Sequence, residues 1–447
     1  MAQVYDLMQG KVSRLILSFY FPMLFTNLLQ QIYNIADTAI VGKGLGDAAV
    51  AAVGNMGSLT FLVVGFSVGL TNGFSVSIAH SYGRKDMEEL RRCIASSVVL
   101  SALITVILTV VSVVFLDELL RLLDTSSEIM SDSLLYGHIL FGGLICTIFY
   151  NMCSAVLRAL GDSKTPLIAI VVSSIVNVGL NYITIFLMDM GVDGPAYATI
   201  ISQLISALIC FARLRRIEMI RLHRSDFKVE IGMYLELIRN GIAMALMNSV
   251  TAVGSMVVQF FVNGLGLAYT SAFSVCMRYL NLFIDPACTA GFTMSAFTSQ
   301  NYGAEKYSRI REGLRVCLTI AFVSYIIFGT VLVFFPKTIV GFMLNEESTI
   351  AIAAEYLPPC GIMLFAVDFL FVYRSGVQGM GYPLVPMLSG IAEMVMRILI
   401  VVLFVGGLGF VATAYAGIAA WVAALLMNMF AFYLILRRKQ KQSITAK

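Results

Sequence analysis

Most side chains that could do chemistry in this sequence are acidic and amide groups placed within long apolar stretches. Tyr33 and Asp37 are four residues apart in one such stretch, and Asn177 and Asn181 have the same spacing in another. Residues four apart lie on one face of a helix. A carboxylate beside hydroxyl and amide oxygens can carry a proton or hold a small hard cation such as sodium. The pattern indicates a cation site around Asp37, the alternative being a carboxylate satisfied by hydrogen bonds between helices.

Charged residues also lie within apolar stretches of the second half of the chain, where burial makes each of them a candidate for function. Glu393 and Arg397 are four residues apart, so we predict that they pair. Such a buried pair can be architectural or functional. Asp368 could bind a cationic substrate or pair with an arginine. Asp285 precedes Pro286 and could cap backbone groups freed by the proline or face a cavity.

The sequence contains no motif typical of a catalytic, metal or cofactor site. Neither a GxxxxGK[ST] phosphate-binding loop nor a His/Glu metalloprotease motif occurs. The eight cysteines form no CxxC pair and lie in or beside apolar stretches, which favours buried free thiols. We therefore expect no enzyme, no metal and no cofactor, but a coupling ion, either H⁺ or Na⁺.

The composition places these groups inside a membrane. The chain has 447 residues, of which 59% are hydrophobic and only 13% are charged. A soluble domain is roughly half apolar and a quarter charged. The composition thus excludes a soluble enzyme, a nucleic-acid-binding protein and a disordered chain, and it predicts an all-α protein with many membrane spans.

Twelve stretches satisfy the requirement of roughly 20 apolar residues for a membrane-spanning helix. They lie near residues 13–41, 52–80, 94–116, 134–157, 166–188, 195–213, 236–262, 272–299, 314–335, 355–379, 385–405 and 410–436. Lys and Arg concentrate in alternate connections, including residues 84–92, the central loop and residues 437–441. By the positive-inside rule these connections, and both termini, are cytoplasmic. The basic central loop is accordingly a topology signal rather than a nucleic-acid patch.

An internal repeat relates the two halves of the chain at one constant offset of 220 residues. It aligns Gly44-Leu45-Gly46 with Gly264-Leu265-Gly266, Tyr82-Gly83 with Tyr302-Gly303, and Pro166 with Pro386. Six spans in each half give both halves the same orientation, which is a parallel repeat. We predict a lobe over residues 1–214, a cytoplasmic loop over 215–235 and a second lobe over 236–447. Rocking of two such lobes gives alternating access, the mechanism of a transporter.

The polar groups at membrane depth do not follow this repeat. Asp37 aligns with Val257, Asn177 with Arg397, Asn181 with Val401, Asp368 with Ile148, and Glu393 with Ser173. Polar groups that serve only the scaffold are expected in both halves. The two lobes therefore share a scaffold and carry different chemistry.

Four stretches resemble the multidrug and toxic compound extrusion (MATE) family of transporters. FPMLFTNLLQQIYNIADTAIVGKGLGDAAVAAVG (residues 21–54) is similar to the first helix and outer turn of that family. LRALGDSKTPL (157–167), GVQGMGYPLVP (376–386) and SQNYGA (299–304) are similar to its inner loops. The resemblance covers essentially the whole chain.

The resemblance implies a V-shaped fold of two six-helix bundles that exports amphipathic, mainly cationic drugs against inward H⁺ or Na⁺. It assigns the cation site to Tyr33, Asp37, Asn177, Asn181 and Thr199. Many members carry a second Asp where this chain has Asn181, which leaves the coupling ion open. The tenth-helix acid of other members approximately matches Asp368. We also expect a multi-pass protein of the plasma membrane that functions as a monomer, because the repeat places both lobes in one chain.

Two other functions are compatible with a polytopic membrane protein. A flippase for a lipid-linked oligosaccharide belongs to the same wider superfamily, but such proteins often have extra helices and a strongly basic cavity. A membrane-embedded enzyme or receptor is a different class, and the parallel repeat and the missing catalytic motif argue against it. Organic cations and the lipid bilayer are the expected partners, and nucleic acid is not.

Overall fold

The structure, a computed structural model, describes residues 6–122 and 125–445. Within these ranges the chain is helical and contains no β-strand, which confirms the predicted all-α fold. The α-helices are α1 (Val12–Leu45), α2 (Asp47–Arg84), α3 (Met87–Val114), α4 (Leu116–Leu122), α5 (Ser127–Gly142), α6 (Leu144–Ala159), α7 (Lys164–Tyr182), α8 (Asp193–Arg215), α9 (Ile231–Gly264), α10 (Leu267–Gly303), α11 (Tyr307–Phe334), α12 (Pro336–Val340), α13 (Glu347–Ile362), α14 (Leu364–Gly379), α15 (Leu384–Leu408) and α16 (Val411–Thr445).

The helices account for all of the predicted spans. Among the described residues, nine helices are long and apolar enough to cross a membrane, and the number is eleven if α5–α6 and α13–α14 each form one bent span. The remaining predicted span, near 272–299, lies within α10, which is 37 residues long. Each predicted span therefore coincides with a helix or with a bent helix pair.

Two spans are broken at positions that the sequence analysis did not anticipate. The axes of α5 and α6 differ by 45°, and those of α13 and α14 by 50°. The first break lies at Gly143, where a Cβ would come within 2.4 Å of the Ile200 side chain. In contrast, α1 and α10 remain helical through Pro22 and Pro286. A proline within a membrane helix therefore does not by itself break it, although Pro358 and Pro359 of α13 lie shortly before the second break.

The backbone repeats itself in the two halves, as the sequence predicted. Both broken spans begin, break and end at positions related by the offset of the repeat. Positive φ angles recur in the same way, in the pairs Gly46 and Gly266, Lys85 and Glu305, and Gly161 and Gly381. The two halves consequently share a scaffold at the level of individual turns.

Helix packing divides the chain into two compact units. Unit 1 contains Asp6 and Phe21–Ala245, and unit 2 contains Leu7–Tyr20 and the chain from Leu246 onward. The first part of α1 packs in unit 2 and the first part of α9 packs in unit 1. The boundaries predicted for the two lobes stay predictions. Both α1 and α9 are 34 residues long, and each of these helices contributes one segment to unit 1 and another to unit 2.

In unit 1, α2 and the first part of α9 pack closely through small residues. The spacing of Gly65, Gly69 and Gly73 predicts such an approach. A Cβ on Gly73 would lie 2.5 Å from the Cα of Gly241, and a Cβ on Gly69 would lie 2.7 Å from the Cα of Ala245. A Cβ on Gly65 would meet nothing within 4 Å. Two of the three glycines therefore serve helix packing.

In unit 2, the segment before α1 is tied to the end of α10 and the start of α11. The backbone N–H of Leu7 donates to Gln300 Oε1 at 3.1 Å. Lys306 Nζ donates to the carbonyl of Met8 at 3.0 Å, and Arg309 Nη1 donates to the carbonyl of Gly10 at 2.9 Å. These bonds hold the beginning of α1 in unit 2.

Candidate functional site

Three of the predicted cation-site residues form one hydrogen-bonded group in unit 1. The amide nitrogen of Asn181 donates to Asp37 Oδ1 and, at 2.8 Å, to Asn177 Oδ1. Both asparagines are fully buried, and Asp37 is half-buried. The four-residue spacing of Asn177 and Asn181 on α7 lets one amide bridge the other amide and a carboxylate on α1.

Two tyrosines and a threonine complete this N-lobe cluster, which we define as Tyr33, Asp37, Tyr136, Asn177, Asn181 and Thr199. The Thr199 side chain is in hydrogen-bonding contact with both Tyr33 and Tyr136. Both tyrosines also interact electrostatically with Asp37. Tyr136 lies on α5 and was missed by the sequence analysis, because no spacing or repeat relates it to Asp37.

A π-helix over Ile183–Leu187 follows α7 and begins two residues after Asn181. The hydroxyl of Thr184 donates to the carbonyl of Leu180 at 2.9 Å. Such π-turns are frequent at functional sites, since they re-aim side chains within a helix. Glycine at position 44 permits the close approach of α1, because a Cβ there would lie 2.3 Å from the Ile185 side chain. The π-helix thus packs against α1 close to the contact between Asn181 and Asp37.

The N-lobe cluster retains unused hydrogen-bonding capacity. Asn181 Oδ1 and Asn177 Nδ2 are buried and have no hydrogen-bond partner among the described residues. A buried polar atom left without a partner costs about 1–3 kcal/mol. The free amide oxygen is an acceptor beside a carboxylate, which is the donor set that a hard cation prefers. The cluster can therefore hold a proton on Asp37 or a small cation next to it.

In unit 2, Glu393 lies between two arginines. Arg374 of α14 forms the closer ion pair with Glu393, through its Nη2 and the Oε1 of the glutamate. Arg397 Nη2 lies 3.8 Å from Glu393 Oε2. Arg397 Nη1 donates to the carbonyl of Thr251 at 3.1 Å and to Ser255 Oγ at 2.9 Å. The predicted pairing of Glu393 and Arg397 thus forms, but Arg374 is the nearer partner. We call these three residues the arginine cluster.

Asp368 and Asp285 lie near a tyrosine of α1. Tyr20 interacts electrostatically with both acids. Asp368 is fully buried, and neither of its carboxylate oxygens has a hydrogen-bond partner in residues 6–122 and 125–445. No ion pair joins Asp368 to an arginine among the described residues, and both roles considered for this acid stay predictions. Within the same ranges, no group of three His, Cys, Asp or Glu residues could hold a metal ion.

Comparison with known proteins gives a consistent result. The family model described as MatE matches residues 22–183 and 243–403, one match in each half of the repeat. The probable multidrug resistance protein YoeA of Bacillus subtilis (strain 168) is 30% identical over 354 residues, which cover 76% of this chain and 75% of that protein. Multidrug export protein MepA of Staphylococcus saprophyticus is 23% identical over 448 residues, which cover 97% of this chain and 96% of that protein.

The fold is that of solved transporters as well. The crystal structure of MATE in the bent conformation matches with a TM-score of 0.92 and 22% identity, over 98% of each chain. Together, the family match, the relatives and the helical repeat establish a multi-pass membrane transporter of small molecules, and not an enzyme. The chain belongs to the MATE family of multidrug efflux transporters.

Proposed function

We propose that the protein is a secondary antiporter that exports amphipathic, mainly cationic small molecules in exchange for inward H⁺ or Na⁺. The observation that carries this proposal is the N-lobe cluster, in which a carboxylate at membrane depth is bound by an amide that keeps a free acceptor oxygen. Ionisable groups in that environment are commonly ion or proton sites.

Coupling follows from the charge on Asp37. In the anionic state, the carboxylate accepts a hydrogen bond from Asn181 and repels a second negative charge. A proton or a sodium ion neutralises this charge, which weakens the bond from Asn181 and changes the balance of interactions between α1 and α7. We propose that this change selects which side of the membrane the substrate site faces, so that ion entry and substrate exit alternate.

The available driving force is sufficient for drug export. A proton gradient supplies about 1.4 kcal/mol per pH unit, and the membrane potential adds about 2.3 kcal/mol per charge per 100 mV. For a monovalent cation exchanged against one proton the voltage contribution cancels, and the pH difference alone sets the concentration ratio.

We assign Asp368 and Asp285 as candidate contacts for a cationic group of the substrate. Both are membrane-depth acids of unit 2, and both interact electrostatically with Tyr20. A carboxylate combined with an aromatic ring suits an amphipathic organic cation, whose charge and apolar body each find a partner. The same unit contains the arginine cluster, whose chemistry differs.

We further propose that the transporter lies in the plasma membrane with both termini in the cytoplasm and acts as a monomer. The basic connections of the sequence support this orientation by the positive-inside rule. One chain contains both repeats, so alternating access requires no second subunit.

The test uses purified protein in liposomes loaded with a fluorescent cationic dye. A proton gradient and a sodium gradient are imposed in separate experiments. Dye export driven by one of the two gradients is the expected result, and it identifies the coupling ion. Absence of export under both gradients for several dyes, together with scrambling of a lipid-linked oligosaccharide, would replace the proposal with the flippase function.

A further inference from the structure

The arginine cluster contains two arginines and one acid. Two arginines share the single carboxylate of Glu393, and in the described part of the chain neither forms an ion pair with another acid. The side chains of Arg374 and Glu393 are 7% and 3% exposed. Asp285 is a further acid in this region, since it and Arg374 both interact with Cys288. Buried charges are costly at membrane depth, so the retention of three of them in one cluster calls for an explanation.

The scaffold does not require charges at these positions. The repeat aligns Arg374 with Ser154, Glu393 with Ser173 and Arg397 with Asn177. Unit 1 forms the same helices with these neutral residues, and it places Asn177 in the N-lobe cluster beside an acid. At corresponding positions, one unit therefore carries neutral side chains and the other carries two arginines and a glutamate.

The arginines have hydrogen-bond donors that the protein leaves unused. Arg374 Nε is buried and has no hydrogen-bond partner among the described residues. The 3.8 Å separation of Arg397 Nη2 from Glu393 Oε2 is too long for a hydrogen bond. Arg397 is the most accessible member of the cluster, with 12% of its side chain exposed. Guanidinium donors of this kind bind the oxygens of carboxylates and phosphates, often in pairs.

We propose that the arginine cluster is the subsite for an oxyanionic group, a carboxylate or a phosphate, on small amphipathic substrates. A bound oxyanion accepts hydrogen bonds from the guanidinium donors that the protein leaves unused. The substrate range then includes zwitterions as well as organic cations. The inference rests on the proposed transport function and specifies its substrate class.

A matched pair of probes tests the subsite. Tetramethylrhodamine carries a carboxylate, and its methyl ester has the same ring system without the negative charge. Binding of both dyes to the purified protein is measured by fluorescence anisotropy in a neutral maltoside detergent, without any ion gradient. The readout is the ratio of the two Kd values. Failure of ion coupling in liposomes would refute the antiport mechanism and leave this ratio unchanged, so the two failures are distinguishable.

We expect the wild type to bind the carboxylate dye more tightly than the ester. Arg397→Gln should reduce this preference at least about tenfold, since it removes a charged hydrogen-bond donor, and Arg397→Lys should retain part of it. Arg121→Gln is the matched control. That arginine is 73% exposed, pairs with Asp117 and belongs to unit 1. A control ratio equal to that of the wild type is expected.

Three outcomes would overturn the proposal: a wild type that does not prefer the carboxylate dye, a wild type that binds neither dye, or an Arg397→Gln protein with an unchanged ratio. If Arg397→Gln does not fold, Ser255→Ala provides the second variant. It removes the hydroxyl that accepts from Arg397 at 2.9 Å and leaves the charge in place. Its preference for the carboxylate dye should fall about threefold, the loss of one weak hydrogen bond, and an unchanged ratio would contradict the subsite.

Discussion

Replacing Asp37 by asparagine separates the role of its charge from the role of its hydrogen bonds. The side chains have the same shape, and Asn181 can still donate to the oxygen of an amide at position 37. The bond to a charged acceptor, worth about 1.5–3 kcal/mol, becomes a neutral bond worth about 0.5–1.5 kcal/mol. We therefore expect Asp37→Asn to cost the folded state about 1–2 kcal/mol, a loss that leaves an inserted, folded protein.

The effect on transport should be far larger. A gradient of about two pH units supplies about 2.7 kcal/mol, which sustains roughly a hundredfold ratio of a monovalent dye exchanged for one proton. A sodium gradient of about a hundredfold supplies the same free energy. In Asp37→Asn, the site loses the charge that distinguishes its ion-bound and ion-free states. The steady-state dye ratio should then fall to the value of protein-free liposomes under both gradients.

The assay compares steady-state dye ratios in liposomes with equal amounts of inserted protein, and thermal unfolding in detergent verifies the fold. Asp117→Asn is the matched control: it makes the same substitution at an exposed acid that pairs with Arg121 at 2.8 Å. The control should transport like the wild type. Asp37→Asn protein that builds the wild-type dye ratio would refute the assignment of the coupling charge to Asp37.

Four further substitutions test the packing and the buried charges. Gly73→Ala places a Cβ 2.5 Å from the backbone of α9 and should destabilise the protein by about 1–3 kcal/mol. Gly65→Ala places its Cβ in open space and should not destabilise the protein. Equal melting temperatures of Gly73→Ala and Gly65→Ala would contradict this packing. Gly44→Ala places a Cβ 2.3 Å from Ile185 and should impair coupled export more than Gly65→Ala does; unchanged export would argue against a positioning role for the π-helix. Glu393→Gln leaves two buried arginines without their acid and should lower unfolding stability by about 3–5 kcal/mol, and a wild-type melting temperature would contradict that expectation.

The sequence was sufficient to predict the features that depend on local pattern and on internal symmetry. Long apolar stretches predicted every span, because the bilayer imposes a minimum length on each helix. The constant offset between the halves predicted the repeat that the paired positive φ angles and the two broken spans display. The four-residue spacing of Asn177 and Asn181 predicted that the two amides meet, and their hydrogen bond at 2.8 Å confirms this contact.

Contacts between distant parts of the chain could not be predicted in this way. Arg374 pairs with Glu393 across two helices, and neither spacing nor alignment between the halves relates the two residues. Tyr136 joins the N-lobe cluster only because α5 packs beside α1 in unit 1. The π-helix after Asn181 packs closely against Gly44, which is a tertiary contact that no local pattern encodes. In each case, a packing arrangement determines the chemistry of residues whose types alone are uninformative.

The most direct test of antiport measures ion movement driven by the substrate. Liposomes contain the protein and a cationic dye, with equal pH and equal sodium concentration on both sides, and the dye is diluted outside. A trapped pH indicator and radioactive sodium report the two ions. Antiport predicts that H⁺ or Na⁺ enters as the dye leaves, and that Asp37→Asn abolishes this entry. Export of the dye by the wild type without movement of either ion, or ion entry that persists in Asp37→Asn, would contradict the proposed mechanism.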